Sequence, residues 1–214
     1  GQKMLNEILT RHRIHHLGVS LVTGEQIWSK EPIKSVDDLK GIKIRAAGLA
    51  ADGFSALGAS VVSLPGEEVY QGLQRGIVDA AEFTTMAVNY GIGLHEVAKY
   101  VAVPSYSGGG TADTVVSYRA WKKLPAELKV KVEAAFRSAA DEYAAFALKE
   151  EKEVREKLVA AGVTFVEWSE EDVAKMAKAR LNVMTNKYAK DSETYAKKLA
   201  SQIKFLESSK PAAK

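Results

Sequence analysis

The sequence predicts an α/β fold with a parallel-dominated sheet, joined to a long bracing helix and further C-terminal helices. Three observations predict it. Residues 31–84 read as strand–helix–strand–helix–strand, an order that calls for parallel strands and right-handed crossovers. Residues 125–161 keep apolar side chains at three- and four-residue spacing. After a strand-like stretch at 162–168, two more amphipathic helical patterns close the chain.

The elements follow in order. Met4, Leu5, Ile8 and Leu9 form one face of a helix over 2–13. Leu17, Val19 and Leu21 alternate with Gly18, Ser20 and Val22, a strand ending at Thr23 and Gly24. Residues 24–33 read as extended, and Pro32 argues against a central strand there. SVDDLKG (35–41) is a short helix, with Ser35 and Asp38 as a capping pair and Gly41 as the left-handed stop. IKIRAAG (42–48) alternates Ile42, Ile44 and Ala46 with Lys43, Arg45 and Ala47, a strand with one apolar face. A helix (49–58) closed by Gly58, a strand (60–64), a helix (65–76) opened by Pro65 and a strand (77–83) complete the alternating unit.

Residues 84–100 read as a helix interrupted by Gly91 and Gly93. Residues 101–118 hold a strand, a glycine-rich bend and another strand. The pattern Leu128, Val132, Phe136, Ala139, Tyr143, Phe146, Val154 and Leu158 runs to Gly162. A helix of that length spans roughly 50 Å, more than one compact lobe requires. Ser169 and Asp172 cap a helix carrying Val173, Met176, Leu181 and Tyr188, and a last helix covers about 192–206. The expected organisation is therefore a helix at 1–14, an α/β ligand-binding lobe at 15–124, the bracing helix at 125–161, a strand and helices at 162–206, and a polar tail at 207–214.

Composition excludes several functions. Thirty basic and 27 acidic residues leave a net charge of +3, and the lysines form no aromatic-interleaved stripe, so nucleic acid is not an expected partner. The absence of cysteine excludes disulfides and thiolate metal sites. No apolar run reaches the ~18 residues of a transmembrane helix. The chain opens inside an amphipathic helix, as expected of a processed or truncated product.

Arg45 is the leading candidate for chemistry. It ends a strand of a parallel sheet, the edge where such sheets bind ligands, and its guanidinium fork matches a carboxylate. The alternative is a surface arginine paired with an acid. His12, His15 and His16 lack the partner acid of a helical metal motif and read as a solvated helix end. Gly108–Gly110 lacks the Lys–Ser/Thr of a phosphate loop. Trp28, Trp121 and Trp168 read as packing residues.

The string PIKSVDDLKGIKIR, then LGAS, then PGEEVYQGLQRGIVDAAE, resembles the solute-binding proteins of tripartite ATP-independent periplasmic (TRAP) transporters. WKKLP at 121–125 matches the same family, and the resemblance covers about residues 15–190. It implies a type II periplasmic-binding-protein-like lobe in which Arg45 grips a substrate carboxylate. It further implies ligand contacts at Glu82, Phe83 and Thr84, and at Tyr106. Glu82–Phe83 is similar to an acid–aromatic pair that, in 2-oxo and 2-hydroxy acid binders, helps hold an ion such as Na or Ca against the substrate; otherwise Glu82 would cap the next helix. PSYS at 104–107 departs from the family's PGWH. Asn89 and Tyr90 could face the cleft, although a helix-surface role is the simpler expectation.

The implied function is a non-catalytic periplasmic receptor that closes on a small organic acid and delivers it to a TRAP permease, with no cofactor required. The family's N-terminal βαβ unit has no counterpart ahead of Gly1, so helix 1–14 would be left from or pack on a missing lobe. That leaves an orphaned or homodimerising lobe as the second reading. An enzyme using Glu82 and His95 as an acid–base pair on a carboxylate is the third.

Overall fold

The computed structural model describes residues 2–209; the end of the expected tail, 210–214, lies outside them. The chain divides into two compact units, each assembled from separate segments: Leu21–Thr111 with Glu142–Val183, and Gly1–Ser20 with Ala112–Asp141 and Met184–Lys214.

The elements in chain order are α1 (Gln2–Arg11), β1 (Ile14–Val22), β2 (Ile27–Ser29), β3 (Lys43–Arg45), α2 (Gly48–Ala56), β4 (Ser60–Val62), α3 (Val69–Gln74), β5 (Ala80–Ala81), α4 (Met86–Gly91), α5 (Leu94–Val97), β6 (Tyr100–Val103) and β7 (Gly110–Ser117). There follow α6 (Tyr118–Lys123), α7 (Ala126–Ala160), β8 (Thr164–Glu167), α8 (Glu170–Val183), α9 (Ala189–Asp191) and α10 (Glu193–Ser209). A π-helical turn (Met184–Tyr188) links α8 to α9. The expected 35–41 helix is a 3-10 turn, Val36–Leu39. The Asp38 carboxylate accepts the Lys34 and Ser35 N–H groups there, at 2.8 and 3.0 Å.

The larger unit is built on a six-stranded sheet of order β4-β3-β5-β2-β6-β8. β3 runs parallel to β4 and β5, as the alternating unit requires, and β6 runs parallel to β8. β2 is antiparallel to both neighbours, β5 and β6. This corrects the expectation that 24–33 avoids the sheet interior: the strand ends at Ser29, so Pro32 takes no ladder position. The third expected strand, 77–83, shortens to Ala80–Ala81.

Side chains alternate across this sheet with period two. Trp28, Ala81, Val101 and Val103 join Val69, Leu73, Leu94 and Leu158 on one face. Ile27, Ile44, Ala80 and Ala102 join Phe54, Trp168 and Met176 on the other. Helices therefore cover both faces. Trp28 is fully buried, and Trp168 donates its indole N–H to the Ile33 carbonyl at 2.8 Å. Of the expected α7 stripe, Val154 and Leu158 are buried while Phe146 stays exposed.

In the other unit, β1 and β7 form a two-stranded sheet. His12 is exposed at the end of α1, as expected, but His15 and His16 are not part of that helix end: they lie on β1. The side chain of His16 is buried, with Nε2 2.8 Å from an Asp113 oxygen and Nδ1 3.1 Å from the Asn6 amide oxygen. His15 stacks on Trp121 at 4.1 Å, and burial lowers its pKa. Among the described residues no group of three or more His, Cys, Asp or Glu could hold a metal ion. No described helix is long and apolar enough to cross a membrane.

Candidate functional site

Arg45 is the last residue of β3, paired in register with Val62 and Ala81. The ladder continues one step past β5, where the Glu82 N–H donates to the Arg45 carbonyl at 2.9 Å. The Arg45 side chain returns the contact: Nη1 donates to the Glu82 carbonyl at 2.7 Å and Nε to the Leu64 carbonyl at 3.1 Å. The guanidinium lies 5.2 Å from the centre of the Phe83 ring. Phe83 in turn packs on Gly66, where a Cβ would come within 2.6 Å of the ring. Arg45 is thus buried rather than on the surface, held by two main-chain oxygens and with the Glu82 carboxylate as a longer ion-pair partner. Nη2 has no hydrogen-bond partner among the described residues. An arginine fixed this way has already lost much of the rotamer entropy that ligand binding would otherwise cost.

Glu82 is buried beside it, with Oε2 3.8 Å from Arg45 Nη1 and 3.4 Å from the Ala47 N–H. The Glu82 carboxyl is pushed up to about 7. Burial is the main cause; the nearby Glu25 charge adds to it, while the Tyr106 hydroxyl, Arg45 and the Ala47 N–H oppose it. Arg45 does not reverse the shift because its short bond goes to the Glu82 carbonyl, not the carboxylate.

This shift carries a sign. Folding raises the Glu82 pKa above the ordinary 4.5, so the folded state holds this proton more tightly between the two values. Stability from this group is complete below pH 4.5 and falls as pH rises through about 7. The full loss is about 3 kcal/mol at most. Glu82→Gln is expected to flatten it: urea unfolding from pH 5 to pH 8 should show the variant gaining steadily on the wild type. Parallel pH curves for the two proteins would refute the assignment.

Tyr106 comes from the turn after β6. It is buried, tilts against Phe54 at 5.2 Å, and donates its hydroxyl to Glu25 Oε2 at 2.7 Å. Burial and the two neighbouring carboxylates, Glu82 and Glu25, drive its own pKa far up, so it remains a donor. From the other side Arg180 of α8 donates Nη1 to the Tyr106 carbonyl at 2.8 Å.

Sequence reasoning missed Glu25. Because β2 is antiparallel, its beginning lies at the edge where β3, β5 and β6 end. Glu25 therefore arrives beside Tyr106 and near Glu82, at the edge where β3 also ends with Arg45, and no local sequence signal announces this. Its position is built: the Glu25 N–H donates to Ser107 Oγ at 3.0 Å. Gly24 sits so tightly that a Cβ there would meet Ser105 Oγ at 2.2 Å and Ser105 Cβ at 2.4 Å. Gly24→Ala is expected to cost about 1–3 kcal/mol by overpacking. Denaturant titration should show that loss, partly restored by adding Ser105→Gly; an unchanged midpoint would contradict the close packing.

The structure thus brings Arg45, Glu82, Phe83 and Tyr106 together. Thr84 stands apart: its carbonyl accepts the Asn89 amide at 2.9 Å. Asn89 is fully buried, which corrects its helix-surface expectation, and Thr85 rather than Glu82 caps α4. His95 stacks on Tyr90 at 4.7 Å, and no contact with Glu82 joins the two into an acid–base pair. The ion implied at Glu82–Phe83 would find few donors, since Arg45 takes the Glu82 carbonyl and Ala47 engages Oε2. Hard cations take six or more oxygens, so most would have to come from a ligand.

A mixed, mostly parallel sheet with helices on both faces is the fold of a type II periplasmic-binding-protein-like lobe. The chain belongs to the bacterial extracellular solute-binding protein family 7, whose profile matches residues 1–191. It is 34% identical over 177 residues to the monocarboxylate 2-oxoacid-binding periplasmic protein of Nostoc sp., covering 79% of this chain and 48% of that protein. It is 29% identical over 154 residues to the C4-dicarboxylate-binding periplasmic protein of Rhodobacter capsulatus, covering 67% of this chain and 45% of that one. The crystal structure of a TRAP periplasmic solute-binding protein from Rhodobacter sphaeroides, in an apo open state, superposes with a TM-score of 0.79 at 30% identity, over 97% of this chain and 66% of that one. The chain therefore spans about half the length of these curated relatives. The family and these relatives are solute-binding transport proteins, not enzymes.

Proposed function

We propose that this chain carries the anion-gripping part of a periplasmic receptor that binds a small organic acid and delivers it to a TRAP-type permease. The observation that carries the reading is Arg45: buried, oriented by two carbonyl oxygens, and retaining an unpaired guanidinium edge where the strands end. Such an edge suits a carboxylate, which can accept two parallel N–H bonds. The names of the relatives, a 2-oxoacid binder and a C4-dicarboxylate binder, support the same ligand chemistry. Glu82, Phe83 and Tyr106 would form the floor beside the ligand. An ion, if one takes part, would enter bridged by the ligand's own oxygens.

The test is a thermal-shift and titration series with three- to six-carbon oxo, hydroxy and dicarboxylic acids, each with and without Ca²⁺ and Na⁺. Saturable stabilisation by at least one acid, without turnover, is expected. A folded sample that no acid stabilises would favour an orphaned lobe, and consumption of the acid would favour an enzyme.

A further inference from the structure

The site holds an acid that an anion receptor has no need of. Glu25 is anchored through its main chain to Ser107, and one of its carboxylate oxygens accepts the Tyr106 hydroxyl. Satisfying that buried hydroxyl occupies Oε2 only. Oε1 has no partner among the described residues, and the residue is partly exposed. Arg45 likewise is nine-tenths buried and keeps Nη2 unpaired. Glu82 and Tyr106 stand between these two, each touching both neighbours: Arg45 with Glu82 at 3.8 Å, and Tyr106 with Glu25 at 2.7 Å. The row therefore runs from the Arg45 cation to the Glu25 carboxylate through a buried carboxyl and a phenol, with the Arg180 guanidinium tied to the Tyr106 carbonyl and 5.7 Å from its ring.

A ligand lying along this row meets opposite charges at its two ends. A dicarboxylate would place its second negative end against Glu25, with Glu82 alongside, and like charges in juxtaposition are strongly penalised. A monocarboxylate with an apolar tail would leave the free Glu25 oxygen without a donor. We propose that the preferred ligand is a small zwitterion, its carboxylate read by Arg45 and its ammonium or amidinium group read by Glu25. This rests on the reading of Arg45 as a carboxylate grip and narrows the organic acid to an amino-acid-like one.

Matched ligands test it in calorimetric titrations of the whole chain: β-alanine, γ-aminobutyrate and betaine against propionate and butyrate, and against malonate and succinate. At least one zwitterion is expected to bind about tenfold or more tightly than its matched anion and dianion. Glu25→Gln should lower zwitterion affinity by about tenfold and improve that of the dianions. A Glu25→Gln protein that keeps the wild-type circular dichroism spectrum and its affinity for propionate is folded with Arg45 in place, so a lost zwitterion preference in it belongs to the Glu25 charge. A dianion that outcompetes every zwitterion, with or without added Ca²⁺ or Na⁺, overturns the proposal, as does an unchanged preference in Glu25→Gln. Monocarboxylates that bind through Arg45 without regard to an ammonium group would sink this inference alone. Failure of every carboxylate to bind would sink the receptor reading with it.

Discussion

Replacing Arg45 by alanine is expected to weaken binding of a small carboxylate by about thirtyfold to several-thousandfold. Truncating one partner of a buried, hydrogen-bonded charge pair costs about 2–5 kcal/mol, and every 1.4 kcal/mol is tenfold in affinity. The fork that matches a carboxylate disappears, and the Leu64 and Glu82 carbonyls lose their donors. Arg45 also opposes the upward shift of the Glu82 carboxyl, so its removal pushes Glu82 further toward the neutral form, which eases repulsion of the incoming anion and offsets a small part of the loss. The orphaned carbonyls make some loss of stability part of the expected result. Affinity must therefore be compared at temperatures where both proteins are folded by circular dichroism. Arg45→Lys separates charge from geometry: a lysine restores the charge but not the planar fork, so an intermediate affinity is expected. Wild-type affinity in a folded Arg45→Ala protein would remove Arg45 from the site.

Trp28→Ala is expected to produce the largest loss of stability, about 3–5 kcal/mol. Trp28 is fully buried in β2, between β5 and β6, and packs with Val69, Leu73, Leu94 and Leu158. Nothing near it can collapse into the space of an indole without moving a strand or a helix. Its ring N–H, however, has no hydrogen-bond partner among the described residues. A buried unpaired donor costs about 1–3 kcal/mol. Trp28→Phe removes that donor along with some volume, so its loss should be far smaller than that of Trp28→Ala. Urea unfolding of both variants checks this. Equal losses would mean that the N–H contributes a bond, and a small loss for alanine would mean that β2 is not central to the core.

Most of the local architecture was legible in the sequence. The helix caps at Asp38 and Ser169 work as their spacing indicates, with the Asp172 N–H donating to Ser169 Oγ at 3.1 Å. Gly41, Gly58, Gly76 and Gly162 take the left-handed conformation expected of helix stops. Period-two alternation placed Ile44 in the core. The departures share one cause. Whether Pro32 takes a ladder position, which way Asn89 faces and where α1 gives way to β1 are not properties of those residues alone. Each depends on which partner a segment meets, and a local window does not contain that partner.

By itself, the sequence determined the parallel β3–α2–β4–α3–β5 unit and the placement of Arg45 at the end of its first strand. Those features follow from side-chain period, caps and crossover handedness, all short-range properties of the chain. Only the tertiary structure decided that β2 inserts antiparallel between β5 and β6. That choice is made by pairing between segments about 50 to 75 residues apart, here Trp28 with Ala81 and with Val101, whose outcome rests on burying Trp28 rather than on the preference of any tripeptide. It reverses the direction of one strand and carries Glu25 to the edge that Arg45 occupies, so that a guanidinium and two carboxyl groups stand at one end of the sheet.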